Sequence, residues 1–164
     1  MILGTLLTLA SMPTAASPQE RGASVGALVV AGDVKTPLSI SPTELRNWPR
    51  TRVEVKEGDH TVVYEGVLVG EILKRAGAQL GAELRDGGVA TYVIASAPDG
   101  YQVLFSLGEL DPDLTNSGII VADTVDGQPL GAKQGPLRIV APKETRGARW
   151  IRQLEGLQVV RVRK

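Results

Sequence analysis

The stretch Leu137-Arg138-Ile139-Val140-Ala141, followed after Pro142 by Lys143-Glu144-Thr145-Arg146-Gly147-Ala148-Arg149-Trp150-Ile151-Arg152, sets a short apolar strand directly ahead of a basic, small-residue turn. Arginine carries a planar fork of donors that suits phosphate oxygens. Gly147 and Ala148 are small enough to let backbone amides approach an oxyanion. From Lys143 to Lys164 there are seven basic residues and two acidic ones; from Glu83 to Asp126 there are eight acidic residues and one basic one, Arg85. An anion is therefore drawn to the end of the chain rather than to its middle. The alternative is that these arginines line a solvated face, as charge clusters usually do.

Outward from that stretch the text is strand-rich. Leu28-Val29-Val30 closes on a Gly32-Asp33 turn, and Leu38-Ser39-Ile40 alternates. Ser41-Pro42-Thr43-Glu44 has the spacing of a capping box and predicts a short helix to about Asn47, stopping before Pro49. Arg52 to Lys56 and Thr61 to Tyr64 flank a Gly58-Asp59 turn and pair as a hairpin. Leu68, Ile72, Leu73 and Ala76 fall at helical spacing, with Gly77 as the stop. Thr91 to Ala97 and Gln102 to Phe105 surround a Pro98-Asp99-Gly100 turn, and Ser106 with Glu109 repeats the capping spacing. Ile119 to Ala122 and Leu157 to Val162 complete the strands. Many strands and few short helices, without βαβ alternation, predict an α+β class that is mostly β.

Composition excludes several functions. The 164 residues suit one domain, and Lys plus Arg equal Asp plus Glu at 18 each, so no basic excess supports nucleic-acid binding. With no cysteine there is no disulfide, thiolate ligand or cysteine nucleophile. The single histidine, His60, cannot supply a histidine-rich metal site.

The start of the chain reads as a processing segment. Ile2 to Met12 is apolar and too short to span a bilayer, and Pro13 to Ser17 offers small residues to a peptidase, although no Lys or Arg precedes the apolar run. Residues 1–16 are expected to be a signal peptide, 17–26 a tether and 27–164 a single domain. The mature protein is then periplasmic or secreted, with no stable membrane insertion after processing.

Four segments, in order, resemble the molybdopterin-binding domain of the sulfite oxidase family. The first is Leu28 to Val34 with Pro37 to Ile40, Glu44-Leu45 and Trp48-Pro49-Arg50. The second is Tyr64-Glu65-Gly66-Val67-Leu68 leading to Glu71-Ile72-Leu73. The third is Asp99-Gly100-Tyr101 with Leu107-Gly108-Glu109-Leu110. The fourth is Asp126 to Leu130, then Gly135 to Val140 and Gly147 to Arg152. The resemblance implies a pocket for pterin or molybdopterin, its phosphate held by basic residues. Arg149 matches the Gly-Ala-Arg phosphate grip and is the expected main donor, with Arg146 and Arg152 assisting. Tyr101 matches a tyrosine near the metal in family enzymes; otherwise it is an ordinary strand tyrosine after a glycine turn. Trp150 offers a flat face for a heterocycle, or else packs at core or rim. His60, at a turn tip beside Asp59, is placed either in solvent or against a ligand. Tyr101, Arg146, Gly147, Arg149, Trp150, Arg152 and His60 are thus the cofactor-binding candidates, with no catalytic residue and no metal ligand assigned.

One departure from the family weighs more than the matches. Active members bind molybdenum through a cysteine thiolate in the segment ahead of the aromatic-x-Gly motif. Here that segment, Val53 to His60, holds Glu54, Glu57, Asp59 and His60 but no thiol. If a metal were bound, Glu54 and His60 would be the first substitute ligands to examine. The leading expectation is an exported, non-catalytic pterin-binding protein of the bacterial periplasm, a ligand sensor or the partner of a membrane signalling or redox protein. The alternatives are a molybdopterin-dependent oxidoreductase with a non-cysteine metal site, and a fold kept as an interaction module with an empty pocket. Export is tested by N-terminal sequencing of secreted protein, which should find a start between about Ala15 and Glu20 by the cleavage pattern. An intact Met1 on cytoplasmic protein would refute it.

Overall fold

The computed structural model describes residues 26–84 and 90–162. The signal-peptide expectation, and the tether up to residue 25, lie outside the described residues. Among the described residues ten strands form two sheets, with the three short helices α1, α2 and α3 between strands. The class is α+β and mostly β.

The first sheet holds β1 (Leu28–Gly32), β2 (Leu38–Ile40), β5 (Thr91–Ser96), β6 (Gln102–Ser106) and β10 (Gly156–Arg161), in the order β2-β1-β10-β5-β6. Its one parallel pair joins the first strand to the last, with Val30 opposite Leu157. The second sheet runs β3 (Thr51–Glu57), β4 (His60–Leu68), β7 (Ile120–Val125) and β8 (Gln128–Pro129), and β9 (Arg138–Val140) also pairs with β7. The β3–β4 hairpin turns on Gly58 and Asp59, with Glu57 opposite His60.

Local signals account for the helices. At α1 (Pro42–Leu45), Ser41 Oγ accepts the Glu44 amide at 3.1 Å. The helix ends at Leu45 rather than Asn47, because the next amides make tighter three-residue bonds, Asn47 to the Glu44 carbonyl and Trp48 to the Leu45 carbonyl. At α3 (Leu107–Leu110) the capping box is complete in both directions between Ser106 and Glu109. Helix α2 (Val69–Arg75) buries Val69, Ile72 and Leu73. Among the described residues no helix is long and apolar enough to cross a membrane.

The second sheet is buried on both faces. Val121 and Ile139 point into the large core shared with the first sheet, where Leu28, Val30, Leu73, Phe105 and Leu157 meet. The alternate residues Ile120, Ala122 and Val140 point the other way, into a smaller cluster with Val53, Val55, Tyr64 and Leu130. Trp150 packs against both clusters. This explains why Ile119 to Ala122 reads as an unbroken apolar run. Gly66 sits at the register shift between β4 and β7, where a Cβ would come within 2.0 Å of the Val121 carbonyl oxygen. The Gly of the aromatic-x-Gly motif is therefore a close-approach residue.

One ion pair ties the start of the sheet to its centre. The Asp123 side chain on β7 is 0% exposed and takes both Arg50 Nη atoms, at 3.0 and 2.6 Å, with Arg46 Nε at 3.7 Å. Burial alone raises the Asp123 pKa, but hydrogen bonds from Arg50 and Thr124 and the charges of Arg50 and Arg46 outweigh it and hold the carboxyl below its ordinary value. A depressed folded-state pKa contributes stability that is complete above the unfolded value, about 3.9, and is lost as pH falls through the folded value. Asp123→Asn should cost about 2–3 kcal/mol at neutral pH, less than a fully buried pair because Arg50 keeps some solvent. That deficit, followed by urea unfolding, should shrink below about pH 4. A pH-independent deficit would assign the loss to packing.

Candidate functional site

A cavity of about 840 Å³ opens between the end of β3, the β5–β6 turn and the chain on either side of β9. Its charged and aromatic lining comes from Glu57, Asp99, Tyr101, Lys133, Arg138, Trp150 and Arg152, with Gln134 and the backbone of Gly147 and Ala148. A second hollow of about 740 Å³, on the outer side of β1 and β10, has Glu155 as its one charged lining residue.

Arg138 forms the floor. It stands on β9 opposite Ala122, whose small side chain leaves room on that face, and it is 7% exposed. Its Nη1 donates to the Tyr64 hydroxyl at 3.1 Å and to Gln134 Oε1. Its guanidinium carbon lies 5.1 Å from the Tyr64 ring centre and 5.8 Å from that of Trp150, and the two rings meet edge to face at 6.2 Å. Among the described residues no carboxylate lies within ion-pair distance of Arg138, and its buried Nε has no partner. Burial lowers the Arg138 pKa, with Arg152 adding to that, while Tyr64 and Glu57 oppose it. Arginine nevertheless stays charged.

The Tyr64 hydroxyl passes its own proton onward, donating to Glu57 Oε1 at 3.0 Å. Burial raises the Tyr64 pKa, Arg138 opposes the rise, and Glu57 and Asp126 add to it. Glu57, Tyr64 and Arg138 therefore form one hydrogen-bonded line.

The structure brings four of the seven sequence candidates to the cavity: Tyr101, Gly147, Trp150 and Arg152. Tyr101, 50% exposed, donates its hydroxyl to the Ala148 carbonyl at 2.7 Å, which staples the β5–β6 turn to the short 3-10 turn Gly147–Arg149. Trp150 is fixed by its indole N–H, which donates to the Ala141 carbonyl at 3.0 Å. His60 is exposed on the hairpin, away from the lining, and Arg146 is exposed and also outside it. In the segment Val53 to His60, Glu57 is the residue that lines the cavity. Glu54 alternates to the outer face of β3, so neither it nor His60 reaches the site.

Arg149, the expected main donor, is turned away. Its guanidinium binds Glu109 Oε1 at 3.0 Å, Glu144 and the Leu104 carbonyl oxygen at 3.1 Å, and lies 4.6 Å from the centre of the Phe105 ring. Two carboxylates neutralise it. Burial lowers its pKa, but the hydrogen bonds and charges of Glu109 and Glu144 raise it overall. Arg149 thus clasps β6 and α3 to the 3-10 turn.

Sequence reasoning passed over Arg138, Glu57, Lys133 and Gln134. For Arg138 a signal existed: a charge inside the apolar run Leu137 to Ala141 is costly unless the tertiary structure employs it. Glu57 lies one residue past the strand expected over Arg52 to Lys56; continuing its alternation from Val53 and Val55 was the available signal for the inner face. Lys133 and Gln134 lie in a loop, where periodicity carries no information.

The chain is thus a two-sheet α+β domain with a cationic, aromatic-walled cavity. The sequence pattern of the oxidoreductase molybdopterin binding domain matches residues 56–164, and the chain belongs to that family. Among solved structures it is similar to the sulfane dehydrogenase SoxCD from Paracoccus pantotrophus, with a TM-score of 0.65 and 19% identity over 81% of this chain. At that identity the likeness concerns the fold, and the chain spans 37% of the SoxCD chain. No curated protein matches the sequence.

The residues fit the organic part of a molybdopterin, offering a fixed indole, a guanidinium with no carboxylate partner among the described residues, and cations at the rim. They do not fit sulfur ligation of a metal, since the chain has no cysteine. Among the described residues no three His, Cys, Asp or Glu side chains converge as a metal site.

Arg149→Ala should lower stability by roughly 1–2 kcal/mol, discounted for its partial exposure, by leaving Glu109 and Glu144 facing each other. Thermal unfolding measures this. Titration should show phosphorylated and uncharged pterins affected to the same extent; a loss confined to the phosphorylated one would return Arg149 to the anion site.

Proposed function

We propose that this chain is an exported pterin-binding protein that does not run sulfite-oxidase-type chemistry and acts as a ligand sensor or as the partner of a membrane protein. The observation that carries the binding reading is Arg138. A buried charge without an opposite charge costs several kcal/mol, and a protein retains one where an incoming group uses it. An electron-rich ligand atom on Arg138, a ring against Trp150 and an anionic tail toward Lys133 and Arg152 would use every cation that lines the cavity. The missing thiolate supports a non-catalytic role, and the apolar start of the chain supports export.

Protein produced in a host that makes molybdenum cofactor should carry pterin fluorescence and no stoichiometric molybdenum by mass spectrometry. Stoichiometric metal would favour instead an oxidoreductase with a non-cysteine site, and Glu57 would then be the first ligand to examine. Arg138→Met should leave the melting temperature unchanged or raise it, since an apolar side chain removes the uncompensated buried charge. The same change should weaken pterin binding about tenfold or more. Unchanged affinity would remove Arg138 from the site.

A further inference from the structure

We propose that the outer face of the first sheet is the contact surface for a second copy of this chain. The two sheets lie face to face about a two-fold axis that runs parallel to the strands, between β10 and β5. Nothing in this pairing depends on what fills the cavity.

The five strands of this sheet hold one charged residue, Arg161, and it does not face outward. It stands opposite the buried Thr91 and binds Asp33 at 2.9 Å. The outward side chains form rows across the strands. One row holds Val29, Gly156, Ser96 and Gln102, and the next holds Ala31, Gln158, Ile94 and Leu104. None of the outward side chains on these strands is charged, although Val29 is 43% and Leu104 53% exposed. The edge strand of the other sheet shows what this protein sets against water: Arg52, Glu54 and Lys56 alternate on the exposed face of β3. An uncharged sheet face with exposed Val and Leu has instead the character of a surface that is covered.

Charge, hydrogen bonding, shape and area favour a copy of the same chain as the cover. A two-fold axis sets one patch against itself, so a patch of one charge repels its twin and an uncharged patch does not. The polar groups of the two rows are the Gln102 and Gln158 amides and the Ser96 hydroxyl. Each both donates and accepts, so each copy can satisfy the other. A lipid surface calls for Lys or Arg around the apolar residues, and this face has neither. The relief is self-complementary too. The small residues Ala31, Gly156 and Ser96 line the hollow of about 740 Å³, with Pro98 and Pro136 in its walls. Leu104 stands out on β6, across β10 and β5 from that hollow. With the axis between β10 and β5, β6 of each copy crosses β1 of the other. Leu104 then sits over Ala31 and Gln102 over Val29, twice per pair. Glu155, at the rim of the hollow, precedes β10 and stays outside the paired strands. Five strands about 4.8 Å apart and about 17–20 Å long offer roughly 400 Å² of flat wall. Two such walls, with side-chain relief and rim, reach the roughly 1,000 Å² at which specific pairs begin, so the pair is weak and reversible.

Sedimentation equilibrium of the purified protein over roughly 1–300 μM should show a monomer–dimer equilibrium with a dissociation constant in about the micromolar range. Leu104→Lys places an unpaired charge in the contact and should weaken the dimer about tenfold or more. Because Leu104 is exposed, the melting temperature of the dilute, monomeric variant should match that of wild type. Glu54→Lys, on the charged face of β3, should leave the dissociation constant unchanged. A chain without cysteine also lets introduced thiols report the geometry. In a mixture of Val29→Cys and Gln102→Cys proteins, a bis-maleimide of about 10 Å reach, the spacing of packed sheets, should join one variant to the other and neither to itself. A monomer over the whole concentration range overturns the proposal; co-sedimentation of that monomer with phosphatidylcholine–phosphatidylglycerol vesicles would assign the face to a lipid surface. A dimer that Leu104→Lys leaves intact overturns this face as the contact. Cross-linking of Val29→Cys to itself overturns the two-fold arrangement.

Discussion

A sheet with apolar side chains on both faces must be covered twice, and that constraint organises this protein. Strand β7 sends Val121 into the main core and Ile120 and Ala122 into the smaller one. The first sheet and helices α2 and α3 cover one side. The other side is closed by Leu130 and the edge of Trp150, both from the chain that follows β7. That covering segment is the one that builds the cavity. The site is thus a by-product of satisfying the hydrophobic effect on the second face, where the segment stops short of the rim and leaves polar side chains over a cationic floor.

Three strong charge centres, Asp123, Arg149 and Arg138, illustrate two uses of an ion inside a fold. Asp123 is met by Arg50, Arg46 and Thr124, so its charge is matched and its role is to anchor β7 to the chain entering β3. Arg149 is likewise matched, by Glu109 and Glu144. Arg138 is different. It is offset by a phenol, an amide oxygen and two aromatic faces, none of which carries a full negative charge. Electrostatic compensation, more than the number of arginines in a motif, separates the residues that hold the fold from the residue available to a ligand.

Much of the fold was legible in the sequence. The Ser41 and Ser106 caps, the Gly58-Asp59 hairpin and the alternation of β3 depend on neighbours within a few residues, so local chemistry was enough. The site was legible in part. Tyr101, Gly147, Trp150 and Arg152 were found because they lie in motifs, and Arg138, inside a recognised strand, and Glu57, one residue past the expected end of another, were passed over. Their significance depends on contacts across Tyr64, which is seven residues from one and 74 from the other.

By itself the sequence determined the class of the protein: strand-rich, without a thiol to bind a metal, and with its basic residues gathered after the apolar strand at Leu137 to Ala141. Those are properties of composition and short-range pattern, and folding cannot alter them. Only the tertiary structure decided which cation faces the cavity. Arg138 and Arg149 are both arginines in the same basic third of the chain, and nothing local ranks one above the other. The difference arises because Glu109 and Glu144 meet at Arg149 while β9 pairs with β7 and places Arg138 beneath Tyr64 and Trp150. A guanidinium is spent or spared by the charges that surround it in space, and those neighbours come from strands far apart in the chain.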